Sequence, residues 1–440
     1  MKKIVLVLLL AGCLPYLSLK AQPSESLTPL DIFVGKLEAM GFENILIRTI
    51  DREVYLSYEN RVYRSDNEAL ARIIILGMES LPEVDRLHLA VQKQKIPVLR
   101  VVFDYYLFRK SLSEYQQSTS DTTFAFFSKA SWNKALTVDM RVSKVVSFLT
   151  GLSYRNPSLW RTELVLEPRV GTQLGDTRQP FRFELSVLPT VSVNLWKGAH
   201  LVPQFFLQLI DYHYFNANDY FQPRYISFHQ QVKLHDGVFA KLSAGFFHRN
   251  RYGFHGELRS FTPDGQLQLF GNIAYTGQAN YLPAGYTGFT GKEYDEPTVE
   301  YARLQYWNYA AGVEWRVPST SLAFQYSYGK YLYGLEAHKV LIYRNFMEYI
   351  LGLQAYLGAE GRNFGFYVNI PLMPSKYSVN KKFRLKPSRY INYSYLATRD
   401  YFENFTTGHE FSADILELNV QVCRSQLPDY LFSIYFKPEL

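Results

Sequence analysis

The residues able to do chemistry in this chain are spread thinly. Its nine histidines are His88, His200, His213, His229, His235, His248, His255, His338 and His409. No two stand four apart, the spacing that puts both imidazoles of a helical zinc site on one face. The two cysteines, Cys13 and Cys423, are too few for a thiolate metal site. Neither a Gly-x-Ser-x-Gly elbow nor a Gly-rich phosphate loop occurs. Asp211 with His213 could act as an acid–base pair, but in an irregular segment both read as solvated polar groups, and His248 and His255 beside Arg249 and Arg251 read as rim residues. No catalytic residue, metal or cofactor is therefore predicted. The better functional candidates are six charges that recur on the polar face of alternating segments: Lys233, Lys241, Glu257, Arg259, Glu314 and Arg316. They either line a polar path or pair with one another into a salt-bridged filling, and both readings stand at this level.

Period-two segments must position these charges. Ile226, Phe228, Val232 and Leu234 alternate with Tyr225, Ser227, His229, Gln231 and Lys233, and after His235-Asp236-Gly237 the residues Ala240, Leu242 and Ala244 alternate with Phe239, Lys241 and Ser243. Asp-Gly between two such runs is a hairpin signal, because Gly supplies the positive φ of the turn. Pro263-Asp264-Gly265 repeats the design. Leu267, Leu269 and Ile273 then oppose Gln266, Gln268 and Asn272; Tyr309, Val313 and Trp315 oppose Asn308, Glu314 and Arg316; and Phe324, Tyr326 and Tyr328 oppose Gln325 and Ser327. Strands of about ten residues with tight turns at one end, and long segments near 211–223 and 276–303 at the other, predict an outer-membrane antiparallel β-barrel of 12–16 strands over residues 121–440. Its closing strand is predicted at Tyr430, Phe432, Ile434 and Phe436.

Composition agrees with a β-rich fold: 16% of the 440 residues are aromatic and 20% are charged, too polar on average for a bundle of membrane helices. Lys2-Lys3 followed by the apolar run to Leu19 and by Ala21 predicts a signal peptide over residues 1–21, while Leu10-Ala11-Gly12-Cys13 makes Cys13 a candidate for lipidation. Removing Lys2, Lys3 and Lys20 leaves 44 basic against 40 acidic side chains. That balance argues against nucleic acid as a partner. Residues 24–104 have a different period. Helix faces around Leu30–Met40 and Leu70–Met78, with short strands between and after them, predict a small α/β periplasmic domain that folds alone, joined by a linker over 105–120.

Several stretches together resemble the YjbH-type, or GfcD-like, outer-membrane proteins of exopolysaccharide biosynthesis and export. They are Gly41-Phe42-Glu43-Asn44 through Tyr63-Arg64 to Pro97-Val98-Leu99; Leu195-Trp196-Lys197-Gly198-Ala199; Arg251-Tyr252-Gly253 leading into Gly256-Glu257-Leu258-Arg259; and Tyr343-Arg344-Asn345-Phe346 leading to Gly365-Phe366-Tyr367-Val368-Asn369-Ile370-Pro371-Leu372. The resemblance implies a non-enzymatic barrel in the outer membrane of a Gram-negative bacterium. Its partners would be membrane lipid, polysaccharide and periplasmic export proteins. This chain is shorter than the two-barrel members and has room for one barrel and one domain. The alternatives are a diffusion or uptake porin, and an outer-membrane hydrolase or acyltransferase.

Overall fold

The computed structural model describes residues 28–436 apart from 117–130, 175–180, 213–220, 248–250, 279–280, 283–284, 287–304, 319, 359–360, 380–381 and 398–418. The leader with Cys13, and His213, His248 and His409, lie outside the described residues. Among the described residues no helix is long and apolar enough to cross a membrane.

The N-terminal unit is an α/β domain. Helix α1 (Pro29–Ala39) starts with Pro29, and its cap Thr28 accepts a hydrogen bond from the Asp31 amide at 3.2 Å. Strands β1 (Glu43–Ile50) and β2 (Glu53–Glu59) form a hairpin. Helix α2 (Asp66–Ser80), capped by Ser65, carries the chain across to β3 (Arg86–Lys93), which lies parallel to β2. Strand β4 (Ile96–Asp104) returns antiparallel.

The domain does not end there. The expected linker begins instead as helix α3 (Tyr105–Gln116). Tyr105 is fully buried and donates to the Ile74 carbonyl at 2.8 Å, and Phe108 stacks on Trp132 with ring centroids 3.9 Å apart. Strand β5 (Leu136–Asp139) adds to β4 and completes a sheet of order β1-β2-β3-β4-β5. Helix α4 (Ser143–Leu149) covers the other face of that sheet through Val145 and Leu149, against Tyr55 and Ala90. Residues 131–149, expected to begin the barrel, thus belong to the domain.

Among the described residues the second sheet has fourteen strands, within the expected range. They are β6 (Thr162–Leu174), β7 (Phe181–Asn194), β8 (Ala199–Tyr212), β9 (Phe221–His235), β10 (Val238–Phe247), β11 (Arg251–Phe261), β12 (Leu267–Gln278), β15 (Gln305–Arg316), β16 (Leu322–Lys330), β17 (Glu336–Phe346), β18 (Tyr349–Gly358), β19 (Gly361–Pro371), β20 (Phe383–Pro387) and β21 (Tyr390–Leu396). The short pair β13 (Tyr281–Leu282) and β14 (Gly285–Tyr286) stands apart. Gly237 and Gly265 adopt φ of +77° and +68°, as the two Asp-Gly turns require. Pairing is antiparallel from β6 through β19 to β21. Strand β20, next to β21 in the chain, instead pairs in parallel with β6.

The faces of this sheet are inverted relative to a soluble sandwich. Its exposed side carries Leu242 (65% exposed), Phe254, Leu269, Trp307, Trp315, Leu353 and Phe364, while its buried side carries Glu184, His229, Lys241, Thr276, Asn308, Glu314 and Gln354.

The expected closing strand near residue 430 is helix α5 (Val420–Phe436). Val420, Cys423, Leu427 and Leu431 are all buried in the domain core, and with Ile434 they follow the 3,4,4,3 spacing of one helix face. Alternation of Tyr430, Phe432 and Ile434 is incidental to that face. Cys423 is a free, buried thiol, and burial pushes its pKa up.

Candidate functional site

The domain and α5 are bonded to each of the five tight turns at one end of the large sheet. The Gly198 amide, between β7 and β8, donates to the Gln94 carbonyl at 2.9 Å, and the Met140 amide donates to the Pro263 carbonyl at 2.9 Å. Ser143 donates from its amide to Asp236 at 3.2 Å, and Gln421 donates to the Asp264 carbonyl at 2.7 Å. Ser425 bonds Ser321, and Arg64 pairs with Glu348. One hydrophobic cluster continues through this junction, because Phe239 and Phe261 of the large sheet pack with the domain core.

Beside that junction lies a buried charge network. Glu163, at the start of β6, accepts from Arg61 at 3.0 Å and Arg384 at 3.1 Å and pairs with Lys386 at 2.9 Å. Glu43 pairs with Arg161 and, at 3.2 Å, with Arg384. Burial pushes the Glu43 carboxyl above its ordinary range, against the opposing pull of Arg61 and Arg161. Arg61 and Glu43 come from the domain, the other charges from the chain entering or closing the large sheet, so the network joins the two sheets.

The six expected lumen charges face the buried side, and each has an ionic partner. Lys241 pairs with Glu257 at 3.4 Å and Arg259 with Glu257 at 2.6 Å. Arg316 pairs with Glu314 at 2.8 Å, and both bond the Tyr343 hydroxyl, which accepts from Arg316 and donates to Glu314, each at 2.7 Å. Lys233 differs in place: it bonds Asp236 and, at 3.2 Å, the Ser143 hydroxyl, and so belongs to the junction with the domain. Local neutralisation is therefore the rule, as expected where isolated charge is costly.

Inward parity also gathers histidines that lie far apart in the chain. His200, His229, Ser243 and His255 are successive cross-strand partners on β8, β9, β10 and β11. His229 is bonded by Ser227 at 2.8 Å and Ser243 at 2.7 Å, and its ring stacks on His200. Both its nitrogens meet hydroxyls, so no carboxylate orients it as a triad would require. His255, expected at the rim, is buried in this row, because β11 starts at Arg251 and places it near mid-strand with inward parity. Among the described residues no cluster of His, Cys, Asp or Glu could hold a metal.

A family model described as exopolysaccharide biosynthesis protein YbjH matches residues 17–347, three quarters of the sequence. The chain belongs to this YjbH family. No curated protein matches it. The YjbH match spans the domain and the large sheet as far as the turn after β17, so β18 to β21 and α5 lie beyond it.

In this YjbH-family chain those later strands, together with β16 and β17, build a cavity of about 400 Å³, lined by Gln325, Tyr343, Gln354, Tyr367, Asn369 and Asn392 among others. Sequence reasoning, drawn to charges, passed it over. The available signal was the parity that puts Gln325, Tyr343, Gln354, Tyr367 and Asn369 on the polar face of successive strands.

Proposed function

We propose that the chain is a non-enzymatic outer-membrane β-barrel that takes part in export of exopolysaccharide, with its α/β domain on the periplasmic side. The observation that carries this reading is the inverted large sheet, with apolar residues exposed around its strands and polar residues buried behind them. In water such a surface would be costly; in a bilayer it is the arrangement a barrel needs. Closure is supported by β20 and β21. They pair with β6 and β19, the opposite ends of the remaining ladder, yet only two residues separate them, and Thr172 of β6 bonds Tyr393 of β21. A closed ladder leaves no backbone group unpaired in lipid. The family assignment supports the polysaccharide role. The domain bonded across the tight-turn end supports a dedicated export component over an open diffusion pore.

The test is fractionation together with deletion. The mature protein should sediment with the outer membrane and migrate faster unboiled than boiled, and a clean deletion should alter surface or released exopolysaccharide while leaving other outer-membrane proteins intact. Recovery in the soluble periplasm, or an unchanged glycan profile, would overturn the reading.

A further inference from the structure

The cavity between β16 and β21 has a lining whose chemistry is narrower than that of the rest of the buried face. Gln325, Gln354, Asn369 and Asn392 supply amides, Tyr343 and Tyr367 supply rings and hydroxyls, and among the described residues no charged side chain lines it. Glu314 and Arg316, which bond the lining residue Tyr343, neutralise each other. The two tyrosine rings stand 6.0 Å apart at 57°. Tyr367 is fixed in place by Gly352 on the neighbouring strand, where a Cβ would collide with its ring. Gln354 is oriented by donating to Ser394 at 2.7 Å.

An amide offers a donor and an acceptor side by side, which matches the vicinal hydroxyls of a sugar, and a tyrosine ring offers an apolar face to the C–H side of a pyranose. Among the described lining residues none carries a cation to neutralise a carboxylate or phosphate. A volume of about 400 Å³ falls in the roughly 300–1,000 Å³ range of ligand pockets. We infer that this cavity binds an uncharged segment of oligosaccharide, held by Gln325, Gln354, Asn369 and Asn392 and stacked on Tyr343 or Tyr367. The inference rests on the export reading and names the class of glycan at one place along the path.

The test is calorimetric titration of the full-length protein in detergent micelles with maltohexaose, mannohexaose and galactohexaose, and with hexagalacturonate as the acidic counterpart. At least one neutral hexasaccharide should bind, and hexagalacturonate should bind at least tenfold more weakly. Tyr367→Ala and Gln354→Ala should each weaken the neutral ligand about tenfold, while Tyr349→Ala, on the exposed face, should leave it unchanged. Heat-modifiable migration of each variant shows that it is folded. Equal or tighter binding of hexagalacturonate, no binding of any neutral hexasaccharide, or unchanged affinity in both cavity variants would overturn the inference. Those failures in a heat-modifiable protein whose deletion alters the glycan fall on the cavity alone. A protein that is not heat-modifiable, or whose deletion leaves the glycan unchanged, fails the export reading instead.

Discussion

Arg64 and Glu348 are 284 residues apart in the chain and form a buried ion pair that fastens the α/β domain to the turn between β17 and β18. Arg64 also donates to the Leu372 carbonyl, and Tyr430 of α5 donates to Glu348 at 3.1 Å. Glu348 therefore ties its turn to both the domain and α5. Glu348→Ala leaves a buried guanidinium unpaired, a change that costs about 3–5 kcal/mol. The purified variant should show a lower urea midpoint for the domain and faster proteolysis within residues 28–116. An unaltered midpoint would mean that the turn contact contributes nothing to docking.

Register on β10 is tested by two neighbouring positions. Leu242 is 65% exposed and Lys241 is 4% exposed. Leu242→Arg puts a charge on the surface proposed to meet lipid and should cost about 2–4 kcal/mol near the bilayer midplane. Lys241→Leu should be milder, since Glu257 keeps Arg259 as its partner. The check is the fraction of each variant recovered in the heat-modifiable form. Equal recovery would sink the lipid-face assignment.

The large sheet was legible because its signal is local. Asp236-Gly237 and Asp264-Gly265 set the turns, and period two assigns faces along the strands between Tyr225 and Tyr328 with no knowledge of what lies opposite them. Local alternation is no guide after Leu372, where the run of hairpins ends and the chain enters β20, which pairs in parallel with β6 across more than two hundred residues of sequence. The domain boundary failed for a related reason. Strand β5 and helix α5 complete the domain from distant parts of the chain, and no local pattern says which sheet a four-residue strand such as Leu136–Asp139 will join. The six charges were found by parity, and Arg259 with Glu257 and Arg316 with Glu314 pair two residues apart on one strand; the Lys241–Glu257 pair alone among them needs cross-strand register. Lys241 lies directly opposite Glu257.

Acid should weaken the domain through Asp66. Burial opposes ionisation of this carboxyl, but the charges of Lys93, at 2.8 Å, and Arg389 outweigh it and hold its pKa below the ordinary 3.8. A depressed folded pKa means that the unfolded chain takes up the proton more readily. The contribution is complete above pH 3.8 and is lost as pH falls below it. Asp66→Asn abolishes this contribution, so the difference in unfolding free energy between wild type and variant should shrink as pH is lowered through that range. A difference that stays constant with pH would assign the stabilisation to hydrogen bonding alone, such as the bond that Asn60 donates to Asp66.

The α/β domain should depend on the far C-terminus for its stability. Helix α2 buries Leu70, Ile73 and Ile74 in the same cluster as Val420, Cys423, Leu427 and Leu431 of α5, and Trp132, Val138 and Met140 belong to it too. A fragment of residues 24–104 has none of these covering groups, and exposing such a face removes about 1.5–3 kcal/mol of stabilisation per large apolar side chain. It should therefore lack a cooperative unfolding transition, contrary to the autonomy that its own helix faces predict. In the full-length protein Leu427→Ala, which deletes a fully buried side chain of α5, should cost about 2–5 kcal/mol and destabilise the domain in preference to the large sheet. Hydrogen exchange separates the two, since amides of α2 and β2 should lose protection while those of β10 and β11 keep theirs. Cooperative unfolding of the short fragment, or equal loss of protection in both sheets, would mean that α5 is not part of the domain's folding unit.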